Sequence, residues 1–163
     1  MEKLYAPWRS NYVTQPSKET ENSKKCIFCE KIKSNDDKKN FILARYPHCF
    51  IMMNLYPYNA GHLMIIPNKH TKDLKNLSSD ERIELMNALS EATDALNKTL
   101  KPDGINIGIN IGKAAGAGIP NHLHIHVLPR WEGDTNFMPL LAETKHISTD
   151  LNKIYDQLKK NYV

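Results

Sequence analysis

The sequence is poor in cysteine. Three residues in 163 are too few to staple a chain of this length with disulfides. Nor does any apolar run reach the length of a bilayer-spanning helix, so no membrane partner is expected. The opening stretch, MEKLYAPWRSNYVTQPSKETENSKK, lacks the apolar block of a secretory signal, and the expected location is cytoplasmic. Charge of one sign is scarce too: the net charge is +4, with a pI near 8.9. Lys24-Lys25, Lys38-Lys39 and Lys159-Lys160 are short and scattered, which reads as solvated surface and argues against a nucleic-acid partner. The mild excess of positive charge still suits a phosphate-bearing ligand. There is no internal repeat.

What is present is an ordinary globular composition, 40% hydrophobic and 25% charged, at a length that gives one domain a real core. Residues 1–25 read as an N-terminal arm, with Tyr5, Trp8 and Tyr12 available for packing, and 26–163 as a single domain. Ser34 to Lys39 is charged and polar, a turn. Short strands are expected over Phe41–Arg45, Cys49–Met53 and His62–Pro67, the last preceded by a loop punctuated by Pro57, Asn59 and Gly61. Ser78 and Glu81 form a capping-box pattern ahead of Leu85, Leu89, Ala92, Leu96 and Leu100, the stripe of an amphipathic helix. Pro102-Asp103-Gly104 ends it. Alternating Ile105, Ile107, Ile109 and Ile111 predict a half-buried strand. A final helix starts at Ser148 or Thr149 and buries Leu151, Ile154, Tyr155 and Leu158. This order predicts an α+β fold on an antiparallel sheet.

Chemistry concentrates in NHLHIHVLPRW, where His122, His124 and His126 hold three of the chain's seven histidines. Over an extended 122–128 these imidazoles share one face and Leu123, Ile125 and Val127 the other. The aliphatic face can pack on a helix, while the imidazole face must line something polar. Two chemistries fit: the histidines grip a catalytic metal, or one is a nucleophile served by its neighbours. Cys26 and Cys29, at C-x-x-C spacing, suit a metal site or a redox pair. As zinc ligands they need two more from among His48, His62, His70, His146 and the triplet. Cys49 stands alone and reads as a small buried hydrophobe.

His122-Leu123-His124-Ile125-His126-Val127-Leu128 resembles the H-x-H-x-H-x-x signature of the histidine triad (HIT) family of nucleotide hydrolases and transferases. The likeness extends to Asn54–His62, to Ile65-Ile66-Pro67-Asn68-Lys69-His70, and to Leu4–Arg9 and Pro129–Phe137. These last two segments are similar to the bacterial branch that resembles diadenosine tetraphosphate phosphorylase.

The resemblance implies a HIT-like fold, a central antiparallel sheet with a long helix and a C-terminal helix, usually as a homodimer. It implies that His124 attacks the α-phosphorus of a nucleotide and forms a nucleotidyl-histidine. The other ring nitrogen of His124 would keep its proton on a backbone carbonyl. His126 would contact the phosphate or donate to the leaving group, and His62 would support the site. Cys26, Cys29, His70 and His122 would hold one structural zinc, with no organic cofactor. Ile27, Phe28 and Leu55 would wall the base and Asn54 would meet the ribose. Asn110 and the backbone of Gly116, Ala117 and Gly118 would face the phosphates. The substrate implied is a nucleoside polyphosphate such as diadenosine tetraphosphate, with phosphate as a possible acceptor. A nucleoside 5′-phosphoramidate is the alternative, beside a zinc-dependent hydrolase that uses the triplet as ligands. One departure stands out: where other branches place Gln or Ser before the triad, this chain has Gly118-Ile119-Pro120-Asn121.

Overall fold

The computed structural model describes residues 26–134 and 150–162. The arm expected over 1–25, His146, the end of the Pro129–Phe137 segment and the helix start expected at Ser148 or Thr149 lie outside the described residues. Two short helices, α1 (Ile27–Lys33) and α2 (Asp37–Asn40), lead into strands β1 (Ile42–Arg45), β2 (Cys49–Met53) and β3 (Leu63–Pro67). The long α3 (Ser79–Leu100) follows, then β4 (Gly104–Ile109), β5 (Ile125–Arg130) and α4 (Leu151–Lys159). All pairings are antiparallel, in one sheet of order β1-β2-β3-β5-β4. The expected α+β architecture of sheet, long helix and C-terminal helix is thus present.

The helices form where their ends are satisfied. Glu81 N–H donates to Ser78 Oγ at 3.1 Å and Ser78 N–H donates to Glu81 Oε2 at 2.6 Å, so the capping box opens α3. Leu85, Ala88, Leu89, Ala92, Ala95 and Leu96 bury its stripe against Ile51, Met53, Leu63, Ile65, Ile125 and Val127 of the sheet. The helix closes at Lys101, left-handed at φ 48°, just before the proline that could not continue it. Asp150 caps α4, accepting from Asn152 N–H at 2.8 Å, and Ile154, Tyr155 and Leu158 are buried on its inner side.

Three local expectations change. The isoleucine strand was expected half-buried. It is the outermost strand with β5 as its one neighbour; Ile105 and Ile109 do pack partly buried on the core, whereas Ile107, and Ile111 past the strand's end, are each 51% exposed, because the α3 stripe packs over the inner strands. The turn expected at 34–39 contains α2, whose Lys39 N–H is capped by Asp36 Oδ1 at 3.0 Å. The extended run expected from His122 enters regular pairing only at Ile125. Its alternation nevertheless holds, with Leu123, Ile125 and Val127 in the helix-side core.

The opposite face of the sheet carries a second, smaller core. Phe28 of α1 packs there with Ile42, Phe50, Met52, Met64 and Ile66. Helix α1 was not legible from periodicity, being only two turns long. It begins beside the histidine run and ends beside β1, where Arg45 Nη1 and Nη2 donate at 2.6 Å to Ile32 O and Ser34 O. It therefore crosses the sheet from the β5 side to the β1 side.

Candidate active site and metal centre

The floor of the site is one row across the sheet. His126 pairs with Met64, Met64 with Met52 and Met52 with Ile42, while Gly108 flanks His126 on β4. With strands about 4.8 Å apart, Met52 stands roughly 10 Å from His126. Above this floor opens a cleft of about 390 Å³. Ile27, Phe28 and Lys31 of α1 wall it, with Asn54, Leu55, Tyr56 and Tyr58 from the β2–β3 loop; Gly118, Ile119, His124 and His126 close the remaining side. The cleft is thus mostly apolar, with Lys31 from α1 among its lining, and carries the imidazoles of His124 and His126 on one side.

Gly61 makes the turn that delivers His62. Its φ is +75°, and a Cβ there would run into Leu100 of α3, so a side chain would both strain the backbone and displace the end of that leucine. His62 is fully buried, and burial, aided by the neighbouring His126 and His124, pushes its pKa down to about 3. It is therefore neutral. The Tyr58 backbone N–H donates to its Nδ1 at 3.2 Å, and Asn54 Nδ2 stands 3.4 Å from the same nitrogen. A backbone N–H can only donate, so the proton of His62 sits on Nε2. That Nε2 donates to His126 Nδ1 at 2.9 Å. His126 is itself held neutral, its pKa pushed to about 4 by burial and by His124. Its proton must then be on Nε2. Two protein donors have fixed the tautomer of His126 and made its outer nitrogen a hydrogen-bond donor.

His124 is arranged the opposite way. Its Nδ1 lies 2.9 Å from His122 O, an acceptor only, so Nδ1 carries the proton and donates. Burial lowers its pKa, only partly offset by that hydrogen bond, which leaves Nε2 as a bare lone pair. The His124 and His126 rings stand 4.8 Å apart between centroids at 78°, and Phe28 packs 5.3 Å from His124. One imidazole thus offers a lone pair and its neighbour an N–H.

His122 does not join them. Its Nε2 donates to Pro67 O at 2.9 Å, and its Nδ1 stands 3.2 Å from Cys26 Sγ and 3.6 Å from Cys29 Sγ. Cys29 Sγ lies 3.3 Å from His70 Nδ1. The four ligand atoms of Cys26, Cys29, His70 and His122 all fall within 4.8 Å of one another. A tetrahedral zinc with bonds of about 2.0–2.3 Å needs ligand atoms roughly 3.3–3.8 Å apart, so this S₂N₂ donor set fits zinc. The Pro67 carbonyl fixes the His122 tautomer, as a supporting partner of a metal-bound histidine does. A catalytic ion held by all three triad histidines does not fit, because both ring nitrogens of His122 point elsewhere.

Of the residues singled out in the sequence, the cleft brings together His124, His126, Ile27, Phe28, Asn54, Leu55 and Gly118, with His62 directly behind His126. Asn110, Gly116 and Ala117 do not line it; they sit beyond the end of β4 and around the 3₁₀ turn at Lys113–Ala115. Sequence reasoning missed Lys31, Met52, Met64, Tyr56, Tyr58 and Ile119. Met52 and Met64 could have been found once the strand register was known, since both lie on the His126 row. Lys31 depended on a helix too short to recognise.

Residues 35–133 match the HIT domain family. The chain is 36% identical over 151 residues to the AP-4-A phosphorylase of Mycobacterium tuberculosis, covering 90% of this chain and 77% of that protein. It is 30% identical over 109 residues to the asymmetrical bis(5′-nucleosyl)-tetraphosphatase of Schizosaccharomyces pombe, covering 67% of this chain and 52% of that one. Among solved structures, a zinc-bound histidine triad family protein from Mycobacterium smegmatis superposes with a TM-score of 0.67 at 26% identity, over 83% of this chain and 91% of that chain. A histidine triad nucleotide-binding protein from Sulfolobus tokodaii gives 0.65 at 28% identity, over 83% and 88%. The chain belongs to the HIT domain family.

Proposed function

We propose that the chain cleaves a nucleoside polyphosphate of the diadenosine tetraphosphate type through a covalent nucleotidyl-His124. The observation that carries this reading is the paired tautomer: a bare His124 Nε2 beside an N–H on His126, facing one cleft. His124 Nε2 attacks the α-phosphorus, a P–N bond forms, and the bridging P–O bond breaks. The leaving polyphosphate departs as an anion, its oxygen accepting a hydrogen bond from His126 Nε2–H, which keeps its proton. In the second half, an oxygen of phosphate or water attacks phosphorus and the P–N bond breaks, freeing His124. His62 positions His126 and acts through it.

Phe28, Ile27 and Leu55 wall the base over the methionine floor, and Asn54, at the cleft entrance, reaches the ribose. Backbone N–H groups around Gly118 face the phosphates, with Gly116, Ala117 and Asn110 nearer the leaving group. Cys26, Cys29, His70 and His122 hold a structural zinc, which when bound ties α1 to the histidine run. We read 26–163 as one domain with 1–25 as its arm. We also read the chain as a homodimer through the β4 edge, where Ile107 and Ile111 are exposed.

The test is incubation with diadenosine tetraphosphate, with and without inorganic phosphate. ATP with ADP formed only in phosphate indicates a phosphorylase, and ATP with AMP a hydrolase. No cleavage in either condition overturns the reading.

A further inference from the structure

Among the described residues Lys31 is the one lysine or arginine that lines the cleft, and nothing in the chemistry above uses it. Its position follows from helix α1. The N-terminal end of α1 is anchored at the histidine run, with Cys26 Sγ 3.2 Å from His122 Nδ1. The other end is anchored beside β1 through Arg45. Ile27 and Lys31, one turn apart, therefore face the same cleft at successive distances from His124. Lys31 stands towards β1, at the end away from the reacting imidazoles.

The ammonium is held in place. Lys31 Nζ donates to Asn40 Oδ1 at 3.2 Å. Asn40 is itself fixed, its Nδ2 donating to Ser34 Oγ at 2.9 Å and to Asp36 O at 2.8 Å. The amide thus cannot flip to face Lys31 with its donor end. A lysine ammonium has three N–H donors and no acceptor, and a single amide oxygen leaves donor capacity for a ligand. A hydrogen-bond acceptor at this end of the cleft would take up that donor capacity.

We propose that Lys31 reads the base, and that it selects a 6-oxopurine such as guanine over adenine; this rests on the nucleotide reading above. With the α-phosphorus at His124, the base lies over Met64 and Met52, and its far edge meets Lys31. Guanine presents two acceptors there, O6 and N7, whereas adenine presents the N7 acceptor beside the N6 amino donor. A group that only donates fits the first pattern and opposes the second. The favoured half of the substrate is then a guanosine nucleotide, and guanosine-bearing dinucleoside polyphosphates are preferred.

The experiment is calorimetric titration of GMP and AMP into the full chain and into Lys31→Met, Lys31→Gln and Lys31→Arg, each checked for an unchanged melting profile. Turnover of diguanosine and diadenosine tetraphosphate is compared in parallel. The wild type is expected to bind GMP about tenfold tighter than AMP, in line with discrimination by one good base contact. Lys31→Met and Lys31→Gln bring that ratio close to one, mainly by weakening GMP, while Lys31→Arg retains it. A wild-type ratio near one, or a ratio that Lys31→Met leaves in place, overturns the assignment while the nucleotide reading stands. Failure of both nucleotides to bind the wild type, with no turnover, overturns the nucleotide reading and this one with it.

Discussion

His62 shows how much one side chain can decide without touching a substrate. Removing it leaves His126 free to put its proton on either nitrogen, so part of the population loses the outer N–H. His62→Gln should lower kcat about 100-fold, the low end of what losing one preorganised hydrogen-bond donor costs, with a smaller change in KM, as steady-state kinetics would record. The same residue sets an acid limit on stability. Folded His62 and His126 titrate near 3 and 4, against about 6.5 in an unfolded chain. Below that value the unfolded state binds protons that the folded state refuses, so stability is full above about pH 6.5 and falls as pH drops towards 4. Thermal melts from pH 7.5 to 4.5 should show this decline, shallower in His62→Gln. The histidine alternation was visible in the sequence. So was the need for a backbone carbonyl to hold the proton of His124, which His122 O meets; the tautomers of His62 and His126 were not visible, because they depend on Tyr58 N–H, a backbone group placed by the fold.

At the scale of elements, α1 is the part that a zinc on Cys26, Cys29, His70 and His122 would hold in place. It carries Cys29, Lys31 and the cleft-lining Ile27 and Phe28, and its apolar side packs on the smaller core. Cys29→Ser should lose the metal by elemental analysis and lower the melting temperature by on the order of 10 °C, as loss of a few kcal/mol does in a chain this size. Its kinetic effect should fall on KM more than kcat, since the wall loosens while His124 and His126 stay on β5 and its entry. A collapse of kcat with KM intact would instead place the metal in the chemistry. The turn into β3 is equally specific. Gly61→Ala must both hold φ near +75° and displace Leu100, and chemical denaturation should show a loss of about 2–3 kcal/mol. The capping box, the α3 stripe and the β2 and β3 strands were legible because each is a local pattern. Helices α1 and α2 were not, since two turns or fewer leave no period to read.

For the whole molecule, the order of strands decides what one chain can bury alone. The isoleucine alternation reads as a half-buried strand, yet β4 ends the sheet and leaves Ile107, and Ile111 just beyond it, half exposed. Pairing of β4 with its copy would cover them. Sedimentation should give a dimer that Ile107→Lys converts to monomer at micromolar concentration. The sequence pattern could state that β4 has an apolar side but not which strand would neighbour it, because sheet order is a property of the whole fold. The same order brings residue 26 beside 122 and residue 62 beside 126, and it is on that convergence that the proposed chemistry stands. The most direct test of it is mass spectrometry on protein mixed with diadenosine tetraphosphate in a single turnover and quenched in alkali, where a phosphoramidate bond survives. The account predicts a nucleoside monophosphate attached to His124, absent from His124→Ala, which should also lose at least about a thousandfold in turnover with its fold intact. Cleavage by the wild type with no adduct, or full turnover by His124→Ala, would contradict it.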